Sequence, residues 1–251
     1  MMSEICYPKN HLQEVVARID FSSPIKALDE AVLPDKVQKI LKQRYPIFES
    51  SKGRSQNIIF DENGVQTTSQ DFQQWIYHGE NREKTITVTQ DFITVSIRQY
   101  KSYDEFKLDV IDPIAEISKI EGNVFINRTG LRYVNVFPNI TNTYDEVSEK
   151  FHPMISSPFK NIIDADGLSR ILNISEYITD EVKCRIQSGI FNPDYPAKIK
   201  NREFVLDVDA FIDTPHSFTN INELFDSLHN VIQSKFEQCI TDKLRDELNA
   251  K

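Results

Sequence analysis

The chain has 251 residues, 39% of them hydrophobic, with sixteen Phe and nine Tyr but only seven Gly, enough apolar mass for a core and too few glycines for phosphate-cradling loops. A formal net charge of −9 and a pI near 5.1, with no basic block, set nucleic acid behind protein as a partner, because phosphate backbones are held by many Lys and Arg contacts. Cys6, Cys184 and Cys239 are isolated, the N-terminus MMSEICYPKNHLQEVV lacks a signal-peptide core, and no apolar run is long enough to span a bilayer, so the expectation is a soluble, cytoplasmic protein with reduced thiols, no zinc site and no membrane partner.

In chain order, Leu12 to Phe21 reads as a strand and Val32 to Arg44 as a helix, with Val37, Ile40 and Leu41 at helical spacing and Pro34 in the first turn. Ser50 to Arg54 is polar and loop-like. Asn57 to Phe60 and Gly64 to Tyr77 form strands joined by the turn DENG. Lys84 to Thr89 and Phe92 to Tyr100 form two more, linked at Gln90 and Asp91. Tyr103 to Ile120 is a helix with Phe106, Val110, Ile114 and Ile117 in its stripe, and Pro113 is expected to kink it or delay its start. Phe125 to Phe137 is a strand that ends at Pro138. Asp145 to Phe151 is a short helix, SSPFKNIIDADG a long loop, and Leu168 to Tyr177, Glu181 to Phe191 and Arg202 to Phe211 are strands. Ile221 to Leu248 reads as one amphipathic helix.

Adjacent alternating strands between helices predict an α+β fold: a largely antiparallel sheet with helices packed on one side. Four times a strand ending in an aromatic passes through a polar link into a helix. The chain is therefore read as one domain, 1–251, with an alternative of two duplicated strand–helix halves, about 1–140 and 141–251.

The functional question sits in FINRTGLRYVNVF. Arg128 and Arg132 share a face with Val124, Ile126, Val134 and Val136, opposite Leu131, Tyr133 and Phe137. A strand apolar on both faces is central in its sheet, and guanidiniums inside it need partners. Those partners are either internal carboxylates or an anionic ligand, held by Arg98, Arg128, Arg132 and Tyr133. In FVLDVDAF, Asp207 and Asp209 share one strand face. They either pair with the arginines or hold Mg²⁺, for which no third oxygen ligand is evident. Trp75, beside QQWIYHGENREK, and His229, near the apolar side of the last helix, are candidates for partner contact or for core. There is no G-x-S-x-G elbow, Walker motif, G-x-G-x-x-G or HExxH, so the balance leans away from an enzyme.

With its R-x-G-L-R-Y-x-N strand, its L-D-x-D-x-F strand, and a last helix with Leu228-His229 followed by F-E-x-x-I-T-x-x-L-R, the chain resembles a sporadically distributed prokaryotic family without an established activity. The matching residues are Arg128, Gly130, Leu131, Arg132, Tyr133 and Asn135; Leu206, Asp207, Asp209 and Phe211; and Phe236, Glu237, Ile240, Thr241, Leu244 and Arg245. Glu14 matches an acidic residue before the family's first strand. Patchy distribution implies a setting such as a bacterial defence or toxin-control module. The leading expectation is a non-catalytic protein that binds a macromolecular partner, most simply a protein. The alternatives are an enzyme or sensor for a nucleotide or phosphate ester, and a self-associating homo-oligomer.

Overall fold

The computed structural model describes residues 7–61, 64–120, 122, 124–138, 143–165, 167–179 and 181–249, with backbone alone for residues 50, 55–61, 64, 66, 68 and 70. The elements are β1 (Leu12–Phe21), α1 (Asp35–Arg44), β2 (Ile47–Asp61), β3 (Gly64–His78), β4 (Lys84–Val88), β5 (Phe92–Ile97), α2 (Tyr103–Ser118), β6 (Phe125–Pro138), α3 (Tyr144–Lys150), α4 (Pro153–Ser156), β7 (Ile171–Thr179), β8 (Val182–Ile190), β9 (Glu203–Ile212), β10 (His216–Ser217), α5 (Ile221–Cys239) and α6 (Asp242–Asn249). The fold is α+β, and the meanders β2–β3–β4–β5 and β7–β8–β9 are antiparallel. No helix among the described residues is long and apolar enough to cross a membrane.

The chain forms two compact units that interleave in sequence. The first holds Met1–Val15, Gly130–Ile212 and Glu223–Lys251, and the second Val16–Thr129 and Asp213–Asn222. β1 and β6 give residues to both. The strand order is β2-β3-β4-β5-β1-β6 in the second unit and β1-β6-β9-β8-β7 in the first. Each unit follows one plan: a strand, helical turns, a meander, then a long helix. These are β1, α1, β2–β5 and α2 in one, and β6, α3 with α4, β7–β9 and α5 in the other.

In the second unit α2 is the organising helix. Ser102 caps it by accepting from the Glu105 amide at 3.3 Å, and Asp104 and Glu105 sit at its positive end. The late start expected from Pro113 does not occur. α2 runs unbroken from Tyr103 with Pro113 buried inside it. Proline removes the amide that would bond the Asp109 carbonyl four residues back. The Tyr45 hydroxyl donates to that carbonyl instead, at 3.2 Å. The Asp109 side chain is held by Lys84 at 2.9 Å and Arg44 at 3.1 Å, which ties α2 to β4 and the end of α1. Burial pushes the Tyr45 pKa up, so the donor keeps its proton.

Several boundaries differ from expectation. α1 begins at Asp35 because Pro34 is still extended at ψ 135. Ser50–Arg54 belongs to β2, which pairs with β3 from Ile47↔His78 to Asp61↔Gly64. With this stretch wet on both faces, no apolar alternation announces it, but cross-strand pairs do: Arg54–Asp71 at 2.7 Å and Ser51–Gln74 at 3.1 Å. β5 stops at Ile97, which leaves Arg98 in an exposed bend.

In the first unit the expected loop SSPFKNIIDADG is helical only at its start, where α4 ends and a 3-10 turn spans Ser157–Phe159, and continues as turns. Ile155, Phe159 and Ile163, spaced four apart, are buried, with Phe159 edge-on to Phe204 at 5.5 Å. The last helix is two. Ile240 bridges Phe151, and the Thr241 hydroxyl donates to the Glu149 carbonyl at 2.6 Å while accepting from the Leu244 amide at 3.4 Å, so the break is also the start of α6.

Replacing Tyr45 with Phe leaves the Asp109 carbonyl unsatisfied in the core. We expect a loss of about 1–3 kcal/mol, seen as a lower urea midpoint at unchanged slope. Pro113→Ala in that background restores an amide donor and recovers part of the loss. Equal stability of wild type and Tyr45→Phe would remove this account of the unbroken helix.

Candidate functional site

The sheet of the first unit has a covered and an open face. Tyr177, Cys184 and Ala210 form one cross-strand row on the covered face, where Lys235 of α5 lies over the Tyr177 ring at 4.2 Å. Phe151 stacks on Phe204 at 4.4 Å on the same side. The intervening rows face outward: Ile174–Gln187–Asp207, Glu176–Arg185–Asp209 and Ile178–Lys183–Phe211. This open face carries the candidate residues.

Arg132 forks onto Asp207, with Nε donating to Oδ1 at 2.9 Å and Nη2 to Oδ2 at 2.6 Å. The Asp207 carboxylate is only 7% exposed and the Arg132 side chain 49%. The Asp207 hydrogen bond raises the Arg132 pKa above its ordinary value. Partial burial opposes it, and the charges of Asp207, Asp209 and Glu14 add to it. Glu176 accepts from Arg185 at 2.8 Å, and Arg185 is the cross-strand neighbour of Asp209. Charges therefore alternate across the strands: Glu176 on β7, Arg185 on β8, the two aspartates on β9, Arg132 on β6 and Glu14 on β1. Alternation of this kind lets a wet sheet face hold many charges without repulsion. It also occupies Asp207 with a guanidinium, and among the described residues no group of three or more His, Cys, Asp or Glu side chains comes together as a metal site would need.

The remaining motif residues mostly meet one another. The Tyr133 hydroxyl lies 3.0 Å from His229 Nδ1, which joins β6 to α5. Asn135, buried, donates to the Leu206 carbonyl at 3.4 Å. Tyr133 is buried in the core, and His229 is half-buried with its Nδ1 turned to the Tyr133 hydroxyl. Arg128 is partly exposed on β6 within the second unit. Trp75 is also in the second unit's core, 5% exposed, with Nε1 donating to the Leu28 carbonyl at 2.8 Å. Sequence reasoning had found Arg132 and Asp207 but missed Arg185 and Glu176, whose equal distance from the β7–β8 turn was the available signal.

The F-E-x-x-I-T-x-x-L-R motif builds the corner between α5 and α6. Glu237 accepts from Tyr7 at 2.5 Å and from Arg245 Nε at 2.9 Å, while Arg245 also pairs with Asp242. Burial first, and the Glu237 hydrogen bond second, push the Tyr7 pKa up to about 12. Burial likewise pushes the Cys184 thiol up to about 11 and that of Cys239 to about 12, which leaves both poor nucleophiles.

A hollow of ≈ 70 Å³ sits at the start of α2, lined by Glu83, Glu105 and Asp109 against Lys84 and Lys101, a set ill-suited to an anion. An open groove of ≈ 710 Å³ runs along α5 beside Thr179 at the end of β7, lined by Glu223, Asp226, Ser227, Val231 and Ser234 among others.

Arg132→Ala should cost about 1–3 kcal/mol, less than for a fully enclosed pair because the guanidinium is half-exposed. Asp207→Asn in that background should recover much of it, since the stranded charge is removed; urea titration of the double-mutant cycle checks this. For Tyr7 the folded pKa lies above the ordinary value of 10.0. Its stabilising contribution is therefore complete below pH 10 and lost as pH rises toward about 12. Tyr7→Phe should flatten that alkaline loss, as read by melting temperature against pH. Comparison with protein-family models finds no match to this chain, and comparison with curated proteins finds none of significant similarity.

Proposed function

We propose that this protein is a non-catalytic module that binds a macromolecular partner, and that the partner is a protein met in the cytoplasm. The observation that carries this reading is on β7, where Ile174 is 57% and Ile178 74% exposed on the open face at the sheet's outer strand. Apolar side chains held out on a rigid strand are characteristic of contact surfaces. The acidic balance of the chain favours a partner with basic groups. The resemblance to a sporadically distributed prokaryotic family adds a setting in defence or toxin control to the proposal.

The competing reading, a nucleotide or phosphate-ester site at Arg98, Arg128 and Arg132 with Mg²⁺ at Asp207 and Asp209, has less behind it. The fork of Arg132 onto Asp207 engages the best-placed guanidinium and the carboxylate together.

Tagged at its own locus, cross-linked in cells and purified, the protein should emerge in stoichiometric complex with a second macromolecule, as measured by native mass spectrometry. A thermal-shift screen against nucleotides, phosphate esters and Mg²⁺ should show no stabilisation. Recovery of the bare chain under all growth conditions, or a ligand-induced shift abolished by Arg132→Ala, would overturn the proposal.

A further inference from the structure

The two units share a plan but differ by one strand. Counting back from the long helix, β9, β8 and β7 of the first unit correspond to β5, β4 and β3 of the second. Outside β3 lies β2, which pairs with it along its length and sets Phe48 against Trp75 at 5.8 Å and Tyr77 at 4.7 Å between ring centres. Outside β7, among the described residues, no strand is paired.

The two outer strands are also built differently. β2 carries the exposed Lys52 and Arg54, the latter paired with Asp71, charges of the kind that keep other chains off a sheet edge. β7, ILNISEYIT, has no Lys, no Pro and no Gly, and its one charge, Glu176, is engaged by Arg185. Gly189 of β8, at φ 135, lets the Ile171 carbonyl approach where a Cβ would collide, so β7 is held close to β8 from its first residue. Half of the backbone groups of an outer antiparallel strand point away from its neighbour. Here they do so beside Ile174 and Ile178 on the open face, and beside the α5 groove at Thr179 on the other.

We infer that the outer edge of β7 receives an extended segment of the partner protein as an added antiparallel strand, in the place that β2 fills in the second unit. This rests on the partner-binding reading and names its surface. Main-chain hydrogen bonds supply the docking. Alternate side chains of the segment meet Leu172, Ile174 and Ile178 on one face and enter the α5 groove on the other. Glu223 in that groove selects a Lys or Arg on the segment, while Lys235 of the same groove lies over the Tyr177 ring. A second copy of the chain fits less well, since each copy brings a net charge of −9.

The test uses the full chain and an array of extended nine-residue peptides, alternating Val, Ile or Tyr with Ser or Thr and ending in Lys or in Glu. We expect Lys-ended members to bind and to slow amide exchange at residues 171–179. Ile174→Lys with Ile178→Lys, both on the surface, and separately Ser234→Trp in the groove, should each weaken binding about tenfold while leaving the melting temperature unchanged. Binding insensitive to all three substitutions, protection elsewhere, or absence of any binder overturns the inference. So does a dimer in sedimentation that the two lysines dissociate, which would assign the edge to a second copy. If the natural partner is captured equally by wild type and the lysine variant, the strand-addition idea fails while the partner-binding reading stands.

Discussion

The charge that must be answered first in this protein is the carboxylate of Asp207. It lies almost wholly out of water on the open face of the first unit's sheet, and Arg132 answers it with two parallel hydrogen bonds. A buried charge with no partner is far more costly than one in a forked pair. Once Arg132 is committed to Asp207, the neighbours order themselves by sign: Asp209 opposite Arg185, Arg185 on Glu176, and Glu14 within reach of Arg132. The same stretch of β6 turns Tyr133 to the other face, where it meets His229 and helps seat α5. One strand thus connects the open face to the helical layer.

A second principle recurs in both units: a defect in regular backbone is made good by a side chain from elsewhere. Pro113 leaves a helical carbonyl without its amide, and Tyr45 supplies the donor. The chain breaks between α5 and α6, and Thr241 bonds back to the end of α3 while capping the next helix. Such repairs satisfy backbone polar groups at the positions where the pattern of the element fails. Glu237, Thr241 and Arg245 together fasten Tyr7 and the α5–α6 corner.

Charged residues on the open face are largely spent on one another, which favours a surface that holds its shape over a pocket that awaits a small anion. What faces outward at β7 is apolar side chain and, among the described residues, backbone with no strand beyond it. An edge of that kind attracts further strands unless it is blunted, and the chain blunts the β2 edge while leaving the β7 edge plain.

Much of the secondary structure was legible from the chain alone. Period-two alternation in Phe92–Ile97 and Glu203–Ile212, and the period-3.6 stripe of α2, reflect burial of one face, which dictates residue type locally. The pairing of acidic with basic strands was open as one of two readings, because Arg132 and Asp207 are conspicuous where they stand. What residue order left undecided depends on groups distant in sequence. The polar residues 50–54 form a strand because β3 lies opposite. Pro113 stays in a helix because the Tyr45 hydroxyl donates to the Asp109 carbonyl that it leaves without an amide, and Ile221–Leu248 breaks because Phe151 and Glu149 bind the break. Trp75 lies in the core because the Leu28 carbonyl accepts its indole N–H, and β7 is an outer strand because no described segment pairs beyond it. Local composition determined which faces seek burial, and only the tertiary structure decided which partners satisfy them, since those partners are brought together by the fold and not by the order of residues.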